Sequence, residues 1–362
     1  MLKSLHIEGF RAFRRLDMDD LSRVNLIVGT NNGGKTSILE AVEMLALGAR
    51  RSSLVNGPKR REEVMPPASE DGHSEADIAH LFHGHCIQIG SQITVSGAGP
   101  GGGKSRFACC INSPKDVAVH QETLIASGYD GRLEKAVYLE DQTRTEPLEF
   151  RLSSRDGLPM EPAAKSEDVG PGRRPVSFVT SESLGAAEMR RLWDQIALTQ
   201  EEEELTRTLS IIEPGITRLA FLSDSGRSSG GIVVKVDGID ERLPLGSLGD
   251  GIRRLLALSM AVIRSQDGFV LIDEIDTGLH HSVMEKVWEV LIETSVRLNV
   301  QFFATTHSQD CVRSLAQLRE KSPESFTQVR LHRIEKGQEK TITYTPDEIA
   351  AAAREHVEVR GW

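Results

Sequence analysis

The stretch Gly29-Thr30-Asn31-Asn32-Gly33-Gly34-Lys35-Thr36 decides the fold. It matches the phosphate-binding pattern GxxxxGK[ST], and it lies between an apolar run at residues 24–28 and a helical pattern that ends near Gly48. In such a loop, glycines let successive backbone N–H groups turn toward phosphate oxygens, and the helix N-terminus adds its dipole. We expect Lys35 to reach the β- and γ-phosphates of a nucleotide and the Thr36 hydroxyl to ligate Mg²⁺.

A second pattern places two acids at the end of an apolar strand. Residues 269–272 are Phe-Val-Leu-Ile, and they run directly into Asp273 and Glu274. Parallel sheets bind ligands at the carboxyl ends of their strands, so these acids are expected beside the glycine loop. Asp273 is predicted to hold Mg²⁺ through a water molecule, and Glu274 to act as general base toward the attacking water. The two patterns together predict binding and hydrolysis of a nucleoside triphosphate.

Composition limits the class of protein. The 362 residues are 39% apolar and 27% charged, which is enough chain for one large or two modest globular domains. A net charge of -10 argues against coating nucleic acid over the whole surface, although a local basic stripe would survive that average. The four cysteines have no paired spacing, and no stretch approaches the ~20 apolar residues of a membrane span. The sequence therefore predicts an unexported, cytoplasmic protein.

The chain divides into three predicted regions. Residues 1–49 carry two strands and the glycine loop, and residues 181–362 carry a helical segment followed by alternating helices and strands, which is typical of a mostly parallel α/β sheet. Residues 50–180 form an insertion between them. In this insertion, the polar, proline-containing residues 50–72 are predicted to be exposed and mobile, whereas the alternating runs between 87 and 152 predict an antiparallel sheet.

Other parts of the insertion leave alternatives open. The glycine run at 97–105 imitates a phosphate loop, but an alanine stands at its first glycine position, so a hairpin is predicted there. Residues 155–175 lack periodicity and are predicted to be a linker. Basic stretches at 50–51, 59–61 and 173–174 could contact a DNA backbone, or they could simply be solvated.

Two motifs carry a family resemblance. Asp273-Glu274-Ile275-Asp276-Thr277-Gly278-Leu279-His280, followed later by Ala304-Thr305-Thr306-His307-Ser308, resembles the extended Walker B motif, D-loop and switch histidine of ABC-type ATPases. More narrowly, residues 1–48 and 240–335 resemble soluble AAA-domain proteins of the SMC/RecF/OLD-like group, whose openings are similar to Leu5-His6-Ile7-Glu8-Gly9-Phe10-Arg11. The resemblance implies an α/β fold, a P-loop NTPase with an ABC-ATPase-like head, in which a mostly parallel sheet is joined by an antiparallel sheet and an inserted flexible region.

The resemblance also implies the roles of particular residues. His307 is expected to sense or orient the γ-phosphate rather than ligate metal, and Asp276 to touch a partner subunit. In that group ATP lies between two heads, each of which lends a signature loop to the other's nucleotide. The candidate loop here is residues 247–254, where Arg253 or Arg254 would supply counter-charge. Asp250 departs from the family pattern, because many relatives place a serine there and a carboxylate repels phosphate unless it turns away to cap the helix.

The predicted site consists of ATP and Mg²⁺ ligands together with catalytic groups. The catalytic residues are Glu274, His307 and Lys35, the metal ligands are Thr36 and Asp273, and the nucleotide ligands are Gly29, Thr30, Asn31, Asn32, Gly33, Gly34, Lys35, Thr36, Ser37, Arg11, Gly249, Asp250, Gly251 and Arg253. No residue is assigned to a Q-loop. We expect this set to be completed only when two copies of the chain meet.

Three functions are compatible with such an ATPase. The resemblance favours an ATP-gated homodimer or higher oligomer, the ATPase subunit of a bacterial anti-phage or DNA-repair system. It would act with a separate effector or nuclease and with DNA as a possible partner, and no membrane partner is expected. The first alternative is a nucleotide-binding subunit of a membrane transporter, although the candidate signature is not transporter-like. The second is a nucleotide-gated scaffold that hydrolyses little, which an intact Glu274 disfavours.

Overall fold

The computed structural model describes residues 1–67, 73–114, 134–160, 174–181, 186–210, 213–222, 231–321 and 323–354. The strands of the described residues are β1 Ser4–Phe10, β2 Phe13–Met18, β3 Val24–Gly29, β4 Val64–Met65, β5 Glu75–Ala76, β6 Gln92–Ala98, β7 Lys104–Asn112, β8 Ala136–Asp141, β9 Leu148–Arg151, β10 Leu158–Pro159, β11 Val176–Val179, β12 Ile216–Phe221, β13 Ile232–Val236, β14 Leu243–Pro244, β15 Phe269–Ile272, β16 Gln301–Thr305, β17 Val329–Ile334 and β18 Ile342–Tyr344. The α-helices are α1 Lys35–Leu47, α2 Arg51–Arg60, α3 Ala186–Ile196, α4 Gln200–Leu209, α5 Asp250–Arg264, α6 His281–Arg297, α7 Gln309–Lys321, α8 Pro323–Phe326 and α9 Pro346–Arg354.

One six-stranded sheet is mostly parallel and has the order β11-β15-β16-β3-β17-β18. Strand β16 lies between β3 and β15 and is parallel to both, whereas β18 pairs antiparallel with β17. The carboxyl ends of β3, β15 and β16 therefore meet at one edge of the sheet. The glycine loop, the acidic pair at 273–274 and His307 follow these three strands, so the topology brings all three segments to that edge.

The second six-stranded sheet is antiparallel and has the order β2-β1-β6-β7-β8-β9. Its β6 and β7 pair from Gln92↔Cys110 to Ala98↔Lys104, which confirms the hairpin predicted at 97–105. Two small sheets, β10-β5-β4 and β12-β13-β14, complete the described strands. The two large sheets confirm the predicted α/β fold with an ABC-ATPase-like head. Strands of the predicted insertion join β1 and β2 in one sheet, and the region boundaries at residues 49 and 180 stay a prediction.

Two hydrophobic cores share the parallel sheet as a common wall. Side chains alternate along β3, so Leu26 and Val28 face one core while Ile27 faces the other. The first core also contains residues of α5, α6 and α7, and the second contains residues of α1 and of the antiparallel sheet. The glycine loop therefore emerges from a strand that is packed on both faces.

The prediction that residues 50–72 are exposed is wrong for much of residues 51–60, whereas the predicted mobility stays a prediction; the described part of this segment ends at residue 67. Helix α2 occupies this segment, and its Leu54 is fully buried. The charged side chains that suggested solvation instead meet carboxylates of α1: Arg60 pairs with Glu43, and Arg61 pairs with Glu40. The sequence pattern of α2 did not reveal a packed helix, because the carboxylates that pair with its arginines lie on α1.

The basic stretches proposed for DNA contact largely make contacts within the chain. The Arg51 guanidinium lies 4.8 Å from the centre of the Phe150 ring, and that of Arg174 lies 5.6 Å from the centre of the Phe269 ring. Arg173 and most of the predicted linker at 155–175 lie outside the described residues. Among the residues that the structure describes, none of the helices has both the length and the apolar character needed to cross a bilayer.

Candidate active site

Two glycines of the loop are required by close neighbours. Gly29 has φ +152°, and a Cβ there would lie 2.6 Å from the Ile334 carbonyl oxygen on β17. Gly34 has φ +96°, and a Cβ there would lie 2.5 Å from the ring of Phe13 on β2. Both positions combine a left-handed backbone with a steric block, so larger residues would distort the loop. The loop is thus held between strands of both large sheets.

The ammonium group of Lys35 lies inside the turn that the loop makes. Its Nζ donates hydrogen bonds to the carbonyl oxygens of Gly29 and Thr30, each at 2.9 Å, and lies 3.3 Å from Nδ1 of His307. Burial lowers the pKa of Lys35 to about 8, although Asp273 and Glu274 act in the opposite direction. A cation held in this environment gains from an anionic partner such as a phosphate, so the site fits the predicted nucleotide.

Thr36 and Asp273 meet at the predicted metal position. The Thr36 Oγ1 lies 3.1 and 3.0 Å from the two carboxylate oxygens of Asp273. Thr305 supports this pair, because its hydroxyl donates to Asp273 at 2.7 Å and accepts the Glu274 N–H at 2.8 Å. A hydroxyl and a carboxylate at this spacing offer the oxygen donors that Mg²⁺ prefers, so the residues fit the ion.

Glu274 has an unusual backbone conformation. Its φ is +50°, in the left-handed region that costs a non-glycine residue energy. Buried Arg254 of α5 stabilises this turn, because its guanidinium donates to the carbonyl oxygens of Asp273 at 2.9 Å and Glu274 at 3.1 Å. The Thr277 hydroxyl donates to the Glu274 carboxylate at 3.2 Å. Arg254 is therefore a positioning residue inside the chain, and its expected role as a counter-charge for a partner's nucleotide is wrong.

Thr306 precedes His307 in the chain and contacts Asp276 through its side chain. Burial and the nearby Lys35 ammonium lower the pKa of His307, which favours the neutral ring, a form that can both donate and accept. Thr306 donates a hydrogen bond to the carboxylate of Asp276. Asp276 therefore has a partner within its own chain, and its expected contact with a second subunit stays a prediction.

An open cavity of about 830 Å³ collects most of the predicted residues. Its walls include the predicted Arg11, Asn31, Asn32, Gly33, Gly34, Lys35, Thr36, Ser37, Asp273, Glu274 and His307. Gly29 and Thr30 contribute the carbonyls that hold Lys35. The same cavity is also lined by Ala12, Arg61, Glu63 and His85, which sequence reasoning missed because they lie on the N-terminal turn and in the insertion.

Arg11 lies on the cavity wall with its guanidinium engaged by acids. Only 4% of its side chain is exposed, and the group lies 2.6 Å from the Glu40 carboxylate and 2.9 Å from that of Glu63. It also donates to the His80 carbonyl at 3.3 Å. This arrangement gives Arg11 a supporting place behind the cavity, and direct contact with nucleotide stays a prediction.

The candidate signature loop lies elsewhere on the molecule. The described residues that line the cavity do not include Gly249, Asp250, Gly251 or Arg253. Gly249 has φ +98° and precedes α5, which begins at Asp250 without a side-chain cap. Asp250 is thus the first residue of the helix rather than its N-cap, and its charge in the first helical turn suits the helix dipole. Gly249, Asp250 and Arg253 are exposed, so a second chain could reach them.

Comparisons with known proteins find similarity to ATPase families. A family model described as "AAA ATPase domain" matches residues 1–93, and one described as "AAA domain, putative AbiEii toxin, Type IV TA system" matches residues 148–310. An ATP/GTP phosphatase of Helicobacter pylori is 24% identical over 361 residues, covering 89% of each protein. The DNA replication and repair protein RecF of Thioalkalivibrio sulfidiphilus is 44% identical over 48 residues, covering 13% of each.

Solved structures give a weaker likeness. The Smc head domain with an extended coiled coil bound to the C-terminal domain of ScpA, derived from Pyrococcus furiosus, is 13% identical with a TM-score of 0.49 and covers 99% of each chain. The fold of this chain, with its glycine loop and the acids after β15, is that of a P-loop NTPase domain. Within the class of P-loop proteins, the matched AAA family models and the relatives support an ATPase of the SMC/RecF/OLD-like group.

Proposed function

We propose that the protein binds MgATP in this cavity and hydrolyses it to ADP and phosphate. The observation that supports the proposal most strongly is the meeting of Lys35, Thr36, Asp273 and His307. Lys35 lies 3.3 Å from His307, and Thr36 lies 3.0 Å from Asp273. These residues come from the segments after β3, β15 and β16, which only the folded sheet brings together. Their chemistry is that of phosphoryl transfer to water.

The chain's own residues would divide the work among them. Lys35 exchanges its bonds to the Gly29 and Thr30 carbonyls for oxygens of the β- and γ-phosphates. Thr36 and Asp273 hold Mg²⁺, which, when bound, neutralises charge on the same phosphates. Glu274 accepts a proton from the attacking water, and neutral His307 orients the water or a γ-phosphate oxygen. The reaction needs positioning and charge rather than a covalent intermediate.

Hydrolysis further requires a second copy of the chain. Exposed Gly249 and Asp250 form the N-terminal end of α5, where the free backbone N–H groups and the helix dipole are oriented to bind an anion. Because this turn does not line the cavity of its own chain, its nucleotide would be that of the partner. ATP binding would thus close a dimer, and hydrolysis would open it.

The ATP-gated dimer would act on a separate effector or nuclease in anti-phage defence or DNA repair, with DNA as a regulator. Two of the similarities support this: the description of one matched family includes a type IV toxin–antitoxin system, and RecF is named for DNA replication and repair. The name of the Helicobacter pylori relative includes GTP as well as ATP, so both nucleotides belong in the assay.

The experiment is steady-state hydrolysis of ATP and GTP over a range of protein concentrations, with and without linear duplex DNA. The Glu274→Gln protein serves as the matched blank, and we expect its turnover to fall about 100-fold or more because the general base is lost. We also expect the native rate per chain to rise with protein concentration and with DNA.

Each part of the proposal has its own contrary result. Unchanged turnover in Glu274→Gln would contradict the assignment of Glu274 as the general base. A constant rate per chain at concentrations where sedimentation shows monomers would exclude the dimeric site. Indifference to DNA would remove the DNA role and leave the ATPase in place.

A further inference from the structure

Helix α2 contributes a basic side chain to the nucleotide cavity. Arg61 caps the C-terminal end of α2, and its backbone N–H bonds to the Gly57 and Pro58 carbonyl oxygens. Its side chain lines the same cavity as the glycine loop, and its guanidinium nitrogen Nη2 lies 3.5 Å from the Ser37 hydroxyl oxygen. The inserted segment therefore brings an arginine to the first turn of α1.

Two arginines and two glutamates form a cluster in this part of the wall, and only Glu40 lies behind it. Glu40 of α1, with 3% of its side chain exposed, contacts Arg11 at 2.6 Å and Arg61 at 2.9 Å. Glu63 contacts Arg11 at 2.9 Å. The cluster holds two positive and two negative charges, so it is balanced before any phosphate enters. Gly57 packs against it, because a Cβ there would lie 3.2 Å from the Arg11 guanidinium.

The two arginines differ in what they can do. Arg11 is 4% exposed and contacts both glutamates, so moving it toward a ligand would leave the buried Glu40 and the partly buried Glu63 with less compensation. Arg61 is 35% exposed and shares Glu40 with Arg11. If Arg61 turns toward the cavity, Glu40 keeps its contact with Arg11. Arg61 is thus the member of the cluster that can bind an anion at low cost.

The position of Arg61 also indicates which part of the nucleotide it meets. In loops of this pattern, the lysine serves the β- and γ-phosphates and the following Ser or Thr serves the metal. Those residues are Lys35 and Thr36, and they lie next to His307 and Asp273, respectively, which are the residues proposed to act at the γ-phosphate and its metal ion. Arg61 instead meets Ser37, one residue further along α1. Its guanidinium therefore faces the α-phosphate side.

We propose that Arg61 is a nucleotide-binding residue supplied by the inserted segment, and that it contacts the α-phosphate. The inference rests on the proposed nucleotide site and deepens it. A guanidinium is suited to this contact because it can donate two parallel hydrogen bonds to phosphate oxygens and stays charged at all physiological pH values. An α-phosphate contact serves ATP and ADP equally, so it sets nucleotide affinity and does not select between them.

The test is calorimetric titration with ATP and ADP in the presence of Mg²⁺, on the Glu274→Gln background, which prevents turnover. We expect Arg61→Ala to weaken the affinity for both nucleotides about tenfold, and Arg61→Lys to recover part of the loss. The matched control is Arg60→Ala, which removes the neighbouring ion pair between α2 and Glu43 without changing the described cavity wall. This control should bind both nucleotides within about twofold of the parent.

Thermal unfolding of each variant separates binding from folding. If Arg61→Ala proves unfolded, the comparison is made between Arg61→Lys and Arg60→Lys, which both keep their charge. Equal affinities in the Arg61 and Arg60 variants would overturn the inference, and so would a loss confined to ATP, since that would place Arg61 at the γ-phosphate. The proposed function fails separately, when the parent binds neither nucleotide or when Lys35→Ala binds as well as the parent.

Discussion

The glycine loop at 29–36 and the candidate signature loop at 247–254 were both predicted to contact ATP, but only the glycine loop lines the cavity of its own chain. The first meets the acidic pair at 273–274 and His307 inside one chain. The second is exposed, and its predicted ligands lie outside the described cavity wall. On the proposed function, one chain alone therefore has the residues needed to bind the nucleotide. Hydrolysis is the step for which a second chain would be needed.

The largest effect is expected from a change in the glycine loop, which lines the cavity within one chain. Lys35→Ala removes the buried ammonium from the loop and leaves the phosphates without their main cationic partner. We expect ATP affinity to fall about 100-fold or more, because several charge-assisted hydrogen bonds are lost together. Equilibrium titration with ATP and Mg²⁺ measures this loss. Wild-type affinity in Lys35→Ala would remove the site assignment altogether.

The next effect concerns the signature loop. We expect Arg253→Ala to bind ATP normally at low protein concentration and to lose about tenfold in hydrolysis, because the exposed guanidinium would act only on a partner's nucleotide. Mixing this protein with Lys35→Ala provides the decisive assay. A mixed dimer joins the intact loop of one variant to the intact signature of the other and recovers activity. No recovery on mixing, at concentrations that form mixed dimers, would contradict a shared site.

The effect that is smallest near neutral pH, and grows only above about pH 8, is a dependence of affinity on pH. Burial first of all lowers the pKa of Lys35 to about 8, and a bound phosphate would raise it again. Binding therefore takes up a proton above about pH 8, and affinity should fall by up to about tenfold per pH unit from there. Below that pH the ammonium is charged and this contribution is flat. Titrations between pH 7 and 9.5 measure it, and Lys35→Arg, whose charge does not titrate, should show no such fall.

Much of the fold was predictable because local patterns decide it. The apolar run before the glycine loop, the acids after the apolar strand and the helix at Asp250–Arg264 each follow from a short window of sequence. The strand β11 was missed, since its four residues lie beside a segment without periodicity. The helix α2 was missed because its arginines read as solvated until Glu40 and Glu43 are placed opposite them.

The candidate site was predictable to the same extent. Lys35, Thr36, Asp273, Glu274 and His307 lie in continuous motifs, and the cavity gathers all five. Residues that act from a distance gave no local signal. Arg254 of α5 donates to the Glu274 carbonyl, and Thr305 of β16 hydrogen-bonds to Asp273 and to the Glu274 N–H. Arg61 reaches the cavity from the insertion. Pairings across the fold decide these roles, and a single sequence does not display them.

The alternation of β3 between two cores has a consequence for how the molecule comes apart. Leu26 and Val28 belong to one core and Ile27 to the other, so neither core can open fully without disturbing the strand that carries the glycine loop. Amide hydrogens of β3 should therefore exchange only in the slowest, most global opening, whereas those at sheet edges exchange earlier. Any ligand of the loop would then protect both halves of the molecule against unfolding at once.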